Sequence, residues 1–193
     1  MDDYDGLSRP AQLPRILGAT RKVGFLKTSD LLVSNMLMTL AAAKPGGRLL
    51  KIGTETGIAT AWLLDGMDDA ASLASVDRNS RVQAVARELL GSDRRVRFFT
   101  GEAKAFLESE PAESYDLIFA DGQAGKFTEL DLGLSRLRRG ALYIVDNMFM
   151  HLFHPPERAA GLREFRSALD ARKDPFVTKI GWPSGVVVCA RRG

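Results

Sequence analysis

Short apolar runs alternate with helix-like segments along most of this 193-residue chain. A helix between successive strands is typical of right-handed βαβ units, which form a parallel sheet with both faces covered. The pattern predicts strands at 48–52, 72–76, 96–100, 115–120 and 141–145 and helices at 31–43, 58–64, 80–90, 103–108, 127–137 and 157–171. We therefore expect an α/β fold with a doubly wound, mostly parallel sheet.

The two ends of the chain depart from this alternation. Apolar runs at 176–180 and 186–190 are joined by only five residues, including Gly181 and Pro183. A connection of that length forms a hairpin, so the seventh and last strand is predicted to be antiparallel. Residues 1–21 contain several glycines and prolines and little periodicity. We predict an irregular N-terminal arm there and one domain over 22–193.

The bulk composition favours a single globular domain with an ordinary surface. Hydrophobic residues make up 45% of the chain, which suits one substantial core, and the formal net charge is only +3. The arginines of 94–97, 136–139 and 191–192 lie beside predicted strand ends and lack interleaved aromatic residues. Solvated loop charge explains them better than a nucleic-acid groove, so no nucleic-acid partner is expected.

Cysteine use and hydropathy bound the cellular context. Cys189 is the single cysteine, which excludes an internal disulfide framework, and its apolar neighbours predict a buried side chain. The acidic start of the chain is not followed by an apolar signal core, and no apolar run approaches the length of a membrane span. We expect a cytoplasmic location and no membrane partner.

Two motifs at predicted strand ends indicate a nucleoside ligand. The first strand runs into Gly53–Thr54–Glu55–Thr56–Gly57, where glycines let the backbone approach a ligand. The second strand ends at Asp77, whose carboxylate can accept hydrogen bonds from both ribose hydroxyls. Each motif has an alternative interpretation: a ligand-free strand–helix turn for the glycines, and an N-terminal helix cap for Asp77. The two together favour the nucleoside.

The next three predicted strands also end in polar residues. Glu102 and Ala103 follow the third strand and either line the pocket for the nucleoside base or simply begin a helix. Asp121 follows the fourth strand, and Asp146 and Asn147 follow the fifth. Oxygen-rich ends on neighbouring strands could share a hard divalent cation such as Mg²⁺.

The ordered motifs resemble a known family. Leu49 to Gly57, Ser75 to Asp77, Tyr115 to Asp121 and Tyr143 to Asn147 are similar to class I S-adenosylmethionine-dependent O-methyltransferases of the catechol and caffeoyl-CoA type. The similarity covers about residues 22–192 and implies a Rossmann-like methyltransferase fold.

The resemblance assigns roles to the strand-end residues. It implies that Gly53 and Gly57 shape the turn under the methionine part of S-adenosylmethionine and that Asp77 holds the ribose. Glu102 and Ala103 would lie near the adenine. Asp121, Asp146 and Asn147 fall where metal-dependent members keep their cation ligands. In full, the residues predicted to contact the cofactor are Gly53, Thr54, Gly57, Asp77, Arg78, Glu102, Ala103 and Asp121.

The chain also departs from the family pattern. Lys51 stands where members usually carry an acid, Glu55 where glycine is frequent, and Ala124 where catechol-type members keep a lysine. The nearest lysine is Lys126. These departures keep open a catalytically silent, cofactor-binding domain. A nucleotide-linked oxidoreductase is the second alternative, against which the glycine spacing and the terminal hairpin weigh.

The predicted reaction is methyl transfer to an oxygen of a small-molecule acceptor. Such a displacement needs the acceptor oxygen close to the methyl carbon and a group that weakens or removes the hydroxyl proton. Asp121 is the predicted central polar group, with Lys126 and His151 as secondary candidates. His151 lies in the apolar stretch 148–153, which forms a pocket lid, a dimer contact or a packed surface loop. Together with the helix at 31–43, that stretch suggests a homodimer.

Overall fold

The computed structural model describes residues 4–25, 30–149 and 156–193. These residues form seven α-helices and seven β-strands. The helices are α1 (Leu13–Lys22), α2 (Leu31–Ala42), α3 (Ile58–Gly66), α4 (Ser80–Leu90), α5 (Ala103–Ser109), α6 (Leu130–Ser135) and α7 (Pro156–Asp170). The strands are β1 (Arg48–Ile52), β2 (Ser72–Asp77), β3 (Val96–Thr100), β4 (Tyr115–Ala120), β5 (Leu137–Val145), β6 (Phe176–Ile180) and β7 (Val186–Ala190).

All seven strands join one sheet in the order β3-β2-β1-β4-β5-β7-β6. Strands β1 to β5 pair in parallel, and β7 lies antiparallel to both β5 and β6. The predicted α/β class, the parallel sheet and the antiparallel last strand are confirmed. Strand order reverses between β1 and β4, so the carboxyl ends of these two strands and their neighbours define the edge where ligands collect in such sheets.

Two apolar clusters cover the two faces of the sheet. One combines Leu49 of β1 with side chains of α1 to α4, and the other combines Leu50 of β1 with side chains of α5 and α7. Neighbouring residues of a strand point to opposite faces, so a fully apolar strand fills both clusters. Within the described part of the chain, no helix is long and apolar enough to cross a membrane.

The expected irregular lead-in is wrong, because residues 13–22 form α1. Leu13 and Ile16 are buried in the core, the Thr20 hydroxyl donates a hydrogen bond to the Ile16 carbonyl at 2.7 Å, and the Thr56 hydroxyl lies 2.9 Å from that of Thr20. Pro14 lies in the first turn, where a missing N–H costs nothing. The proposed boundary between an arm and a domain, after residue 21, falls inside this helix.

The region between β4 and β5 also differs from the prediction. Helix α6 covers Leu130–Ser135 and not 127–137, and β5 begins at Leu137 and not at 141. A left-handed Glu129 (φ 56°) precedes α6, and an irregularity in the β4–β5 register lets Leu137 pair with Tyr115. As a result, residues 121–129 form an irregular loop at the carboxyl edge of the sheet.

Candidate active site

The carboxyl edge of the sheet holds a cavity of about 470 Å³. Its walls come from the turn after β1, the end of β2 with the start of α4, the start of α5, the loop after β4, and Phe25 in the segment after α1. The residues that line it are Phe25, Ile52, Gly53, Glu55, Val76, Asp77, Arg78, Asn79, Val82, Gly101, Glu102, Ala103, Lys104, Gly122, Gln123, Ala124, Thr128 and Glu129. A cavity of this size suits a small-molecule cofactor.

The turn after β1 adopts left-handed backbone at three positions. Gly53 has φ 85°, Glu55 has φ 53° and Gly57 has φ 93°. The amides of Gly53 and Thr54 both donate to the Val76 carbonyl, at 2.8 and 3.1 Å, which ties the turn to β2. A Cβ on Gly57 would lie 2.7 Å from the Cβ of Ala86, so α4 approaches the turn as closely as glycine permits.

Thr54 and Gly57 belong to the turn that forms one wall of the site, but they do not line the cavity. Thr54 is buried, its hydroxyl lies 2.8 Å from that of Ser75, and Gln83 Nε2 donates to it at 2.9 Å. Because these bonds lie behind the turn, the cofactor contact predicted for Thr54 would have to use its backbone. The roles of both residues remain predictions.

Asp77 lies at the end of β2 and faces the cavity. Its Oδ2 accepts a hydrogen bond from the Glu55 amide at 2.7 Å, and its Oδ1 accepts one from the Asn79 amide at 2.8 Å. The N-terminal cap of α4 is Asn79, whose side chain accepts from Val82 N, so Asp77 does not fill that position. A carboxylate has about four acceptor sites, which leaves about two for hydroxyl groups of a ligand.

Arg78, Glu102 and Ala103 line the same cavity as Asp77. Glu102 stands at the N-cap position of α5 but makes no side-chain cap hydrogen bond. Its carboxylate is therefore not committed to the helix, but α5 does begin at Ala103, so the helix entry is present and the ligand role remains a prediction. The cavity thus brings together three of the residues predicted around the nucleoside, in addition to Gly53 and Asp77.

Four ionisable side chains form a buried charge cluster under the ends of β1, β4 and β5. The cluster consists of Lys51, Asp121, Lys126 and Asp146, each at most 2% exposed. Lys51 Nζ lies 4.0 Å from Asp121 Oδ2. Lys126 Nζ donates a hydrogen bond to the backbone carbonyl of Asp146. The cluster therefore contains three residues predicted as site residues, Asp121, Lys126 and Asp146, and one that was noted only as a departure from the family, Lys51.

Asn147 connects this cluster to the surface of the site. Its side-chain Nδ2 donates to Asp121 Oδ1 at 2.7 Å, and its backbone carbonyl accepts from Arg158 at 3.3 Å. The residue is half-buried and has left-handed backbone, φ 60°. Asp121 thus fixes the orientation of the Asn147 amide, which is the more exposed of the two groups.

Burial dominates the electrostatics of Asp146 within the cluster. The pKa of Asp146 is raised above its ordinary value, mainly because burial penalises the charged form and secondly because Asp121 is negative. The Ser184 hydroxyl, the Asn147 amide and the Lys126 ammonium act in the opposite direction. Asp146 is therefore held in a place where its negative charge is only partly compensated.

The predicted divalent cation does not fit this donor set. Magnesium usually keeps several waters and takes one or two accessible carboxylates. Here one oxygen of Asp121 receives the Asn147 amide, the other lies beside the Lys51 ammonium, and the side chain is fully buried. Among residues 4–25, 30–149 and 156–193, no group of three or more His, Cys, Asp or Glu side chains could hold a metal ion.

Some predictions cannot be placed, and some lining residues were not foreseen. His151 and most of the apolar stretch 148–153 lie outside the described residues. Sequence reasoning missed Phe25, Gln123 and Thr128 as parts of the cavity wall. No motif identifies these residues, because they reach the cavity only through the folding of the loops that carry them.

Comparison with known proteins identifies the family. The model of a methyltransferase domain family matches residues 50–148. A Mycobacterium tuberculosis protein that carries a provisional O-methyltransferase name is 30% identical over 173 residues, which is 82% of this chain and 75% of that protein. The chain belongs to the class I S-adenosylmethionine-dependent methyltransferases, in the O-methyltransferase group.

Two further comparisons define the extent of the likeness. A Mycolicibacterium smegmatis relative with the same kind of name is 30% identical over 118 residues, and the match covers 58% of this chain but only 56% of that protein. The chain thus spans little more than half the length of some relatives it matches. The crystal structure of an O-methyltransferase from Bacillus cereus with S-adenosylhomocysteine bound superposes with a TM-score of 0.85 at 21% identity, over 97% of this chain and 94% of that one.

Proposed function

We propose that this chain transfers a methyl group from S-adenosylmethionine to an oxygen of a small-molecule acceptor. The observation that carries the proposal is Asp77, a carboxylate at the end of β2 that faces the cavity beside the glycine turn after β1. Membership of the O-methyltransferase group and the likeness to a structure that holds S-adenosylhomocysteine support it.

The cofactor is proposed to occupy the 470 Å³ cavity. Asp77 would accept the ribose hydroxyls, and Gly53 would let the methionine part pass close to the backbone of the turn. Glu102 and Ala103 would lie along the adenine, with Arg78 at the rim. These contacts use groups that the fold already holds in place, which lowers the cost of binding.

The acceptor is proposed to bind beside Asn147, over the buried charge cluster. Its oxygen attacks the methyl carbon, the carbon–sulfur bond breaks, and S-adenosylhomocysteine leaves while the hydroxyl proton passes to a base. Asp121 acts through Asn147: it orients the amide, whose Oδ1 is then available to the acceptor hydroxyl. His151 is retained as a secondary candidate for the base that takes the proton, and Lys126, which donates to the Asp146 carbonyl, as a secondary candidate for positioning the acceptor.

Titration with S-adenosylhomocysteine tests the cofactor half of the proposal. We expect micromolar affinity, on the order of −8 kcal/mol. Asp77→Ala should weaken it at least about tenfold through loss of charge-assisted hydrogen bonds. The matched control is Asp170→Asn, an exposed carboxylate paired with Lys179 at 2.7 Å and remote from the cavity. Unchanged affinity in a folded Asp77→Ala protein would contradict the ribose role.

Transfer of a labelled methyl group to a panel of phenols and catechols tests the chemical half. Asn147→Ala should lower the turnover number while leaving S-adenosylhomocysteine affinity within about twofold, because Asn147 does not line the cofactor cavity. Wild-type protein that binds the cofactor but methylates no acceptor would favour the catalytically silent domain. Binding of NADH in place of S-adenosylhomocysteine would favour the oxidoreductase.

We infer a cytoplasmic enzyme that acts as a homodimer, supported by the apolar side chain of Phe149, which is 42% exposed. Because Leu13 and Ile16 of α1 enter the core, the catalytic unit is proposed to include α1 in addition to residues 22–193.

A further inference from the structure

Lys51 is an ionisable residue inside the central strand of the sheet. It pairs in register with Phe119 of β4 and is 1% exposed. Its Nζ lies 4.2 Å from the centre of the Phe119 ring and 4.0 Å from Asp121 Oδ2. A buried ammonium is costly unless an opposite charge accompanies it, so the fold places Lys51 where Asp121 compensates it.

The register of the sheet explains how the two residues meet. Asp121 follows Phe119 by two positions, so both point to the same side of the sheet as Lys51. The long lysine side chain crosses the aromatic ring and ends at the carboxylate just beyond the strand. Ring and carboxylate therefore both stabilise the same positive charge.

The formal charges of the buried cluster sum to zero without any added ion. Lys51 and Lys126 carry two positive charges, and Asp121 and Asp146 carry two negative charges when ionised. A dication placed between the carboxylates would leave two uncompensated positive charges in a site closed to water. At close range and low effective dielectric, such an excess is strongly unfavourable.

We propose that the Lys51 ammonium takes the place of the divalent cation, so that this enzyme holds its acceptor site together without a metal. The inference rests on the proposed function, since it concerns the acceptor end of the same site. The sequence agrees with this charge arrangement: a lysine stands where the resembling family usually has an acid, which adds a positive charge beside the predicted ligands. The structure adds that this lysine reaches Asp121, one of the predicted ligands.

Lys51→Met removes the ammonium group from the buried charge cluster. Methionine fills a similar volume and keeps the contact with Phe119, but it leaves Asp121 and Asp146 with one compensating lysine between them. The melting temperature should fall by roughly 10 °C, because breaking a buried pair leaves an uncompensated charge. The variant should also bind a divalent cation, which would restore part of the loss.

Titration with Mn²⁺, followed by electron paramagnetic resonance, measures the affinity of each protein for a divalent cation independently of activity. Wild-type protein without cofactor should leave the free-ion signal unchanged up to millimolar Mn²⁺, and methyl transfer should persist in excess chelator. Lys51→Met should bind Mn²⁺ at least about tenfold more tightly than wild type. Lys44→Met is the matched control: Lys44 Nζ donates to the Gly140 carbonyl at 3.2 Å, remote from the cluster, and its loss should create no ion binding.

Two results would overturn the proposal: stoichiometric Mn²⁺ binding by the wild type, or a folded Lys51→Met protein with no more affinity than wild type. If Lys51→Met does not fold, the wild-type titration decides, since binding refutes the proposal and its absence with chelator-resistant transfer supports it. S-adenosylhomocysteine binding is measured separately. Loss of S-adenosylhomocysteine binding would count against the proposed function, and the Mn²⁺ titration could still be interpreted.

Discussion

Gly57 gives the sharpest test of how the turn after β1 is built. Its backbone is left-handed, φ 93°, and an added Cβ would lie 2.7 Å from Ala86 Cβ and 3.2 Å from Leu90 Cδ1. Gly57→Ala therefore meets two separate penalties, one in its own backbone and one against α4. Both penalties are absent at Gly18 of α1, where φ is ordinary and no atom lies within 4 Å of the added Cβ.

The two penalties can be estimated from the geometry. Left-handed backbone costs an alanine about 1–2 kcal/mol, and forcing a methyl group into a packed contact costs about 1–3 kcal/mol. Gly57→Ala should then lose about 2–5 kcal/mol of unfolding free energy, or about 4–20 °C in melting temperature for a chain of this size. Gly18→Ala should instead gain about 0.5–1 kcal/mol.

A double-mutant cycle with Ala86→Gly separates the terms. Alone, Ala86→Gly should cost about 2 kcal/mol, from helix propensity and a lost buried methyl group. In the double variant the clash disappears but the backbone strain stays, so the two costs should fall short of additivity by about 1–3 kcal/mol. Urea denaturation measures all four proteins. Additive costs, or a Gly57→Ala loss below about 0.5 kcal/mol, would refute the close-contact reasoning.

Two further predictions concern the loop after β4 and the state of assembly. Tyr143 is fully buried, and its hydroxyl donates to the Gly125 carbonyl at 2.7 Å. Tyr143→Phe should lower the unfolding free energy measured by urea denaturation by about 1–3 kcal/mol, because that carbonyl loses its donor. A loss near zero would show that the bond does not hold the loop. If the chain is a homodimer, light scattering at high micromolar concentration should give twice the 21.1 kDa mass of the chain. Phe149→Ser should shift the measured mass toward that of the monomer. A monomer mass for the wild type would contradict the homodimer.

Much of the fold follows from local sequence signals. Strands β1, β3, β4, β6 and β7 and helix α4 have the bounds that periodicity predicts, because an apolar run flanked by charged or turn-forming residues carries its own boundaries. The sequence also places Asp77, Glu102 and Asp121 at one edge, since the carboxyl ends of parallel strands share an edge. The predictions for residues 13–22 and for the start of β5 were wrong. Residues 13–22 form α1, whose buried face can be recognised only from its packing against α3 and α4.

The charge cluster was beyond sequence reasoning for a different reason. Lys51 could be noticed as a departure from the family, but its partner could not be named, because Lys51 and Asp121 are 70 residues apart and meet only through the β1–β4 register. The same applies to Gly57, whose neighbour Ala86 is set by the packing of α4. Residue type and strand period are encoded locally and determined the sheet and its polar edge. Which charge compensates which, and therefore whether a metal fits, depends on distances of a few ångströms that only the packed tertiary structure decides.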